Sequence, residues 1–309
     1  MWRAIVAIVV LAAVRAYEAP CSVNEVPFGT GAPSNSSFTC EALPAVYSAA
    51  LTFLESNLSP SDRLNKATLG FGFDHNGVAV HGANLSVHAK GESRFSALVP
   101  RRLFFEYVLP HAVTNEGRSH WRPLFASVVR RLLEAASPSW RDFRTTEAIN
   151  VINHGLWDGA LGGAITFQSQ QTPLIYDVMS TIVFGHASCT GVSIVLVSAL
   201  RSAGIASRLV GTPAWNGSHG NHNWVEVWSP DDGWQFLEAS PAGSGSLANP
   251  CDKWFCTKSY MTPATRVLAA KFSQRTLERF VMAWDPDNVA IPGVDRSAYY
   301  HRVCSVCPA

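Results

Sequence analysis

Between residues 174 and 242 the hydrophobic period switches from helical to alternating, and this switch constrains the fold more than any other feature. A short helical piece, Leu174 to Val183, and a turn, Gly185 to Ser188, lead into a mainly apolar run from Cys189 to Ala203. That run predicts a buried helix, and Gly204 stands where a helix commonly stops. A strand over Ser207–Gly211, a Gly/Asn/Ser loop over 212–221, and two more strands over Asn221–Trp228 and Trp234–Ala239 follow. Ser229-Pro-Asp-Asp-Gly233 reads as the turn between the last two.

The length of that turn sets a register. If residues 229–233 make the hairpin loop, Trp228 pairs with Trp234, position 224 faces 238 and position 222 faces 240. His222 and Glu238 then become diagonal neighbours on one face, with Cβ atoms about 7 Å apart or less. A slip of one residue would send them to opposite faces. Trp224, Trp228, Trp234 and Phe236 share that face, and we expect it to pack on the Cys189 helix, bringing thiol to imidazole.

Taken singly, these residues say little. A lone cysteine opening an apolar helix is more often an inert core residue, a histidine at a strand end is more often ordinary surface or core, and a terminal glutamate is usually solvated. Together they meet the requirements of an activated nucleophile. Cys189 sits in the first helical turn behind the capping candidate Ser188, where the helix dipole favours a thiolate. His222 would take its proton and later protonate the leaving group, and Glu238 would orient the ring. The Cys189 backbone N–H is one oxyanion donor; Gln168, Gln170, Gln171 or Trp157 could supply a second.

The chain has seven cysteines. Cys21 and Cys40 flank a Pro/Gly/Ser-rich loop, Cys251 lies near Cys256, and Cys304 lies near Cys307. Six can pair in an oxidising compartment, and Cys189 is left over. A four-cysteine zinc site from Cys251, Cys256, Cys304 and Cys307 is the rival reading. Connectivity is not legible at this level.

Arg3, the apolar stretch Ile5 to Val14 and Val14-Arg15-Ala16 read as a signal peptide over residues 1–16, too short to span a bilayer comfortably. We therefore expect a secreted or lumenal protein with no membrane span. Sequons at Asn35, Asn57, Asn84 and Asn216 agree with secretion; a glycan on Asn216, just before His222, would flank the cleft. Without Arg3 and Arg15, 22 basic residues face 23 acidic ones, and no dense basic run points to nucleic acid. No cofactor is expected, and oligomeric state leaves no signal.

Upstream, Glu41–Leu58 and Trp121–Ala136 carry helical stripes, and a further helix is predicted from Asp142 to about Leu156. Residues 68–92, with Val78-Ala79-Val80, read as a loose β excursion.

The central block resembles the transglutaminase-like superfamily. The resemblance rests on Ser188-Cys189-Thr-Gly-Val-Ser, Leu200-Arg201-Ser-Ala-Gly204-Ile205-Ala-Ser-Arg208, Asn221-His222-Asn-Trp224-Val-Glu226-Val-Trp228 and Gly233-Trp234-Gln-Phe-Leu-Glu238, and covers residues 170–242. Phe105–Pro110 and Trp121–Phe125 resemble the leader of some secreted or bacterial members. Two positions depart from the pattern: Glu238 stands where Asp is usual, and Ala206 where Pro often follows Gly-Ile.

The resemblance implies an α+β, papain-like fold, a Cys-bearing helix packed on an antiparallel sheet, preceded by a helical region. It divides the chain into a helical N-terminal region (17–139), a transglutaminase-like core (140–270) and a disulfide-pinned tail (271–309). The implied activity is cysteine-dependent acyl transfer on protein or peptide amides through Cys189, His222 and Glu238, as transamidation, deamidation or hydrolysis. The alternatives are a catalytically inactive binding domain and a secreted cysteine peptidase. A glycan-releasing amidase ranks lower, because a pair of Cys-x-x-Cys motifs ahead of the nucleophile is missing. No calcium loop is present.

Overall fold

A computed structural model describes residues 21–22, 24–29, 39–71, 77–171 and 173–308. The expected signal peptide and the Asn35 sequon lie outside the described residues. No helix among the described residues is long and apolar enough to cross a membrane.

The N-terminal part is a helical layer on a small hairpin. Strands β1 (Glu25–Phe28) and β2 (Thr39–Ala42) pair antiparallel beside the Cys21–Cys40 disulfide. Helices α1 (Leu43–Ser56), α2 (Pro60–Leu64), α3 (Val78–Lys90), α4 (Arg94–Ala97) and α5 (Arg101–Tyr107) follow. The β reading of Val78-Ala79-Val80 is therefore corrected. These residues open α3, which is buried on most of its circumference, and Gly82, Ala83 and Ser86 keep it slim. Burial among helices outweighs the weak strand preference of valine.

The long helix α6 (Trp121–Ala136) spans the residues that its stripe predicts, and α7 (Thr145–Gly155) comes next. A two-stranded parallel pair, β3 (Thr166–Phe167) with β4 (His186–Ala187), brackets α8 (Val178–Phe184). Helix α9 (Cys189–Ser202) is buried along its whole length. Gly204, at φ 80°, ends it: Ile205 N–H donates to Leu200 and Gly204 N–H to Arg201. Two buried arginines seal this end. Arg122 of α6 donates to the carbonyls of Arg201, Val108 and Pro110, and Arg201 donates to Ser207 and Ala112.

The main sheet is five-stranded and antiparallel, in the order β7 (Gly233–Leu237), β6 (His222–Ser229), β5 (Ser207–Thr212), β8 (Leu268–Ala270), β9 (Gly293–Asp295). Its outer strand β9 comes from the C-terminal tail. A last helix, α10 (Ser297–Cys304), packs beside it. Trp228 pairs with Trp234, as the turn length predicts.

The two faces of this sheet have different partners, and here one expectation fails. Val225, Val227, Leu209 and Leu237 form one hydrophobic core with α6, α7 and α9. Trp224 and Phe236 instead pack with Phe255, Tyr300 and the C-terminal cysteines, and Trp228 joins the N-terminal helical cluster. The aromatic face therefore points away from the Cys189 helix. Every residue of β6 is buried, so both faces are covered and alternation does not say which one takes the helix.

Candidate active site

Cys189 is the first residue of α9 and the one free cysteine among the described residues. The other six form Cys21–Cys40, Cys251–Cys307 and Cys256–Cys304, so the zinc reading is set aside. Ser188 holds the N-cap position, but its hydroxyl accepts nothing from the first turn. The positive end of the helix thus faces the sulfur without an intervening side chain.

His222 opens β6 and Glu238 lies one residue past β7. The register brings both to the same face, and His222 Nε2 lies 2.8 Å from Glu238 Oε1. Both are almost fully buried. With Nε2 committed to the carboxylate, Nδ1 is the nitrogen left to face the thiol, and Cys189 and His222 line the same cleft. Both residues open their elements, and the start of α9 and the start of β6 face one cleft.

Burial alone would push the Cys189 thiol up. The hydrogen bond and charge of His222 and the Asn223 backbone N–H outweigh it, and the thiol sits below its ordinary value. Burial alone would likewise push His222 down, but its hydrogen bonds to Cys189 and Glu238 and their charges raise it to about 9. The two shifts favour a thiolate–imidazolium pair that titrates as one unit.

The acid is held as firmly as the ring. Asn153 of α7 donates to the Glu238 carbonyl at 2.9 Å and accepts the Ser240 N–H at 3.1 Å. Gly243 lies so close that a Cβ there would stand 2.8 Å from Glu238 Cγ and 2.9 Å from Cδ. Above the imidazole lie Trp254 and Phe255, with ring centroids 4.8 and 5.2 Å away. They belong to the segment tied down by Cys251–Cys307 and Cys256–Cys304.

These residues open onto a cleft of about 760 Å³, lined by Cys189, His222, Gln170, Gln171, Ser188 and Asn221 among others. Phe167, Leu174, Trp254 and Trp284 stand at its walls and are 40–47% exposed. Apart from Cys189 and His222 the lining carries no titratable side chain. Of the four side chains expected as a second oxyanion donor, only Gln170 and Gln171 line the cleft, and the Gln171 amide already donates to the Ile175 carbonyl. Trp157 donates its indole N–H to Asn153 and is spent there.

Sequence reasoning missed Trp254, Trp284, Asn223 and Thr190. The last two adjoin Cys189 and His222 in the chain and could have been read as their immediate supports. Trp254 and Trp284 come from irregular segments whose place depends on the disulfides and on tail packing, and they left no periodic signal.

Among solved structures the chain is similar to the periplasmic domain of TgpA from Pseudomonas aeruginosa bound to ethylmercury, at 17% identity over 40% of this chain and 46% of that one, TM-score 0.28. It is also similar to a TGase, at 14% identity over 43% of this chain and 35% of that one, TM-score 0.29. Red sea bream transglutaminase gives 12% identity over 71% of this chain and 30% of its own length, TM-score 0.22. The chain thus spans less than half the length of each of these proteins. No curated protein matches it in sequence. Residues 160–239, the segment that carries Cys189, His222 and Glu238, match the transglutaminase-like superfamily.

Proposed function

We propose that the protein is a cysteine-dependent acyl transferase or hydrolase acting on protein or peptide amides. The observation that carries this reading is the buried His222–Glu238 contact, 2.8 Å long, with the only free thiol among the described residues lining the same cleft as the ring.

The Cys189 thiolate would attack the carbonyl carbon of a carboxamide or peptide amide. The oxyanion would form at the first turn of α9, against the Cys189 backbone N–H. His222, protonated in the resting pair, would hand its proton to the departing ammonia or amine, leaving a thioester. A second amine or a water molecule would then attack the thioester and give its proton back to His222, freeing the thiolate. Glu238 would hold the ring and stabilise its charge throughout. The extra methylene relative to Asp is accommodated by Gly243, which leaves the longer side chain room to approach.

The uncharged cleft and its four large apolar walls favour a segment with apolar side chains beside the reactive amide. Three disulfides suit a secreted or lumenal protein. Asn216 and Asn84 are exposed, as a glycan site requires, whereas Asn57 is buried and bonded to Phe53 and Gln274.

The test is alkylation of the unreduced protein, followed by amine incorporation and amide hydrolysis on wild type and Cys189→Ala. Label on Cys189 alone and complete loss of turnover in Cys189→Ala are expected. Turnover that survives the substitution would remove the proposal. The product found in the wild-type assay, crosslinked amine or free acid, assigns the acceptor.

A further inference from the structure

One strand residue joins α9 to β6 at the point where the sulfur meets the imidazole. Asn223 follows His222, so its side chain leaves the opposite face of the sheet, toward α9. Its Oδ1 accepts the Thr190 hydroxyl at 2.7 Å, and its backbone carbonyl accepts the Ser193 hydroxyl at 3.4 Å. Asn223, Thr190 and Ser193 are all buried. Thr190 adjoins Cys189 and Asn223 adjoins His222, so the short bond ties one backbone to the other within a residue of each reacting side chain.

The carboxamide has little freedom to turn. Its Nδ2 lies 3.5 Å from the Val210 carbonyl, and Gly211 pairs directly with Asn223 across the sheet. A Cβ at Gly211 would stand 2.0 Å from Nδ2 and 2.6 Å from the His222 carbonyl. The glycine is therefore what makes space for this side chain. A buried hydroxyl–carboxamide bond has no water to exchange with, so its loss leaves an orphaned acceptor beside the nucleophile. The Asn223 backbone N–H is among the groups that hold the thiol below its ordinary value against burial.

We propose that Asn223, together with Thr190, is a positioning residue of this site: it fixes the approach of the Cys189 sulfur to the His222 ring. The proposal rests on the reading of Cys189 as the nucleophile only for its consequence in turnover; the tie itself acts on the thiol whether or not an amide is cleaved.

The experiment is the pH dependence of iodoacetamide alkylation of Cys189 in the full, disulfide-bonded chain, run beside amide turnover. Thr190→Val is expected to slow alkylation near neutral pH by on the order of tenfold and to move the profile to higher pH. Thr190→Ser, which keeps the hydroxyl, should restore the wild-type profile. Asn223→Asp keeps the shape and the acceptor but sets a negative charge beside the sulfur, and should move the profile upward as well. A folded Thr190→Val with the wild-type profile overturns the proposal, because a purely structural bond would alter stability and leave the thiol's titration alone. If Thr190→Val does not fold, an unshifted Asn223→Asp does the same. If neither folds, the Asn223 amide proton of the wild-type chain decides by NMR: its shift must follow the titration of the thiol, and a flat response overturns the tie. Shifted alkylation in protein that turns over no amide would retain the tie and remove the acyl-transfer reading. Normal turnover with an unshifted profile would remove the tie alone.

Discussion

Two buried glutamates on the same face of the main sheet are partnered very differently. Glu226, in the middle of β6, has every acceptor filled. Arg208 reaches Oε2 through Nε at 2.8 Å and through Nη2 at 2.6 Å, while Arg296 and Tyr300 reach Oε1 at 2.9 and 3.0 Å. Arg208 also bonds the Tyr107 hydroxyl at 2.8 Å and lies over the Trp234 ring. Glu238, just past β7, bonds only His222 through Oε1, and its Oε2 has no partner. Burial and residue type are the same; completeness of partnering differs. A fully partnered carboxylate is held in one geometry. A half-partnered one has an oxygen left over, which suits the role proposed for Glu238 beside the His222 ring.

The comparison can be broken at several points. The largest effect is expected from Glu226→Gln. It leaves Arg208 and Arg296 without their shared counter-charge, and should cost about 3–5 kcal/mol of stability in urea unfolding. Turnover per folded molecule should stay near wild type. A variant that unfolds normally but loses turnover would reverse the roles assigned to the two glutamates.

Glu238→Gln should do the converse. The Cys189–His222 pair is self-neutral, so unfolding should move by about 1 kcal/mol or less, whereas turnover should fall roughly a thousandfold. The pH profile sharpens this. His222 is raised from 6.5 to about 9, so its contribution to stability is complete below about 6.5 and is lost as pH rises through about 9. Cys189 is lowered, so its contribution is present above the ordinary thiol value and is lost as pH falls through the folded one. The residual activity of Glu238→Gln should therefore lose its alkaline limb at a lower pH than wild type. An unchanged limb in the rate profile would mean that Glu238 does not set the imidazole.

The smallest effect concerns reach. Gly243→Ala would bring a methyl against Glu238 Cγ and Cδ. Displacing the acid by a few tenths of an ångström should reduce turnover about tenfold, with little change in melting temperature. Full activity in this variant would show that the longer acid tolerates displacement.

Much of the site was legible because its parts are local. The helix beginning at Cys189, its stop at Gly204, the hairpin around residues 229–233 and the resulting alignment of His222 with Glu238 all follow from short-range period and turn chemistry. The odd cysteine was legible from spacing. Helix α3 was not, since its opening valines carry a strand preference that only burial among other helices overrides.

What the chain could determine by itself was therefore order along each element and register between neighbouring ones, because both are set by contacts a few residues apart. Three matters were left to the tertiary structure: which face of the sheet takes α9, how the C-terminal cysteines pair, and which aromatic residues wall the cleft. Both faces of β6 are buried, so periodicity is satisfied either way. The choice falls to the shape and volume of layers that meet from distant parts of the chain, aliphatic side chains against α9 and aromatic rings against the disulfide-tied C-terminal segment.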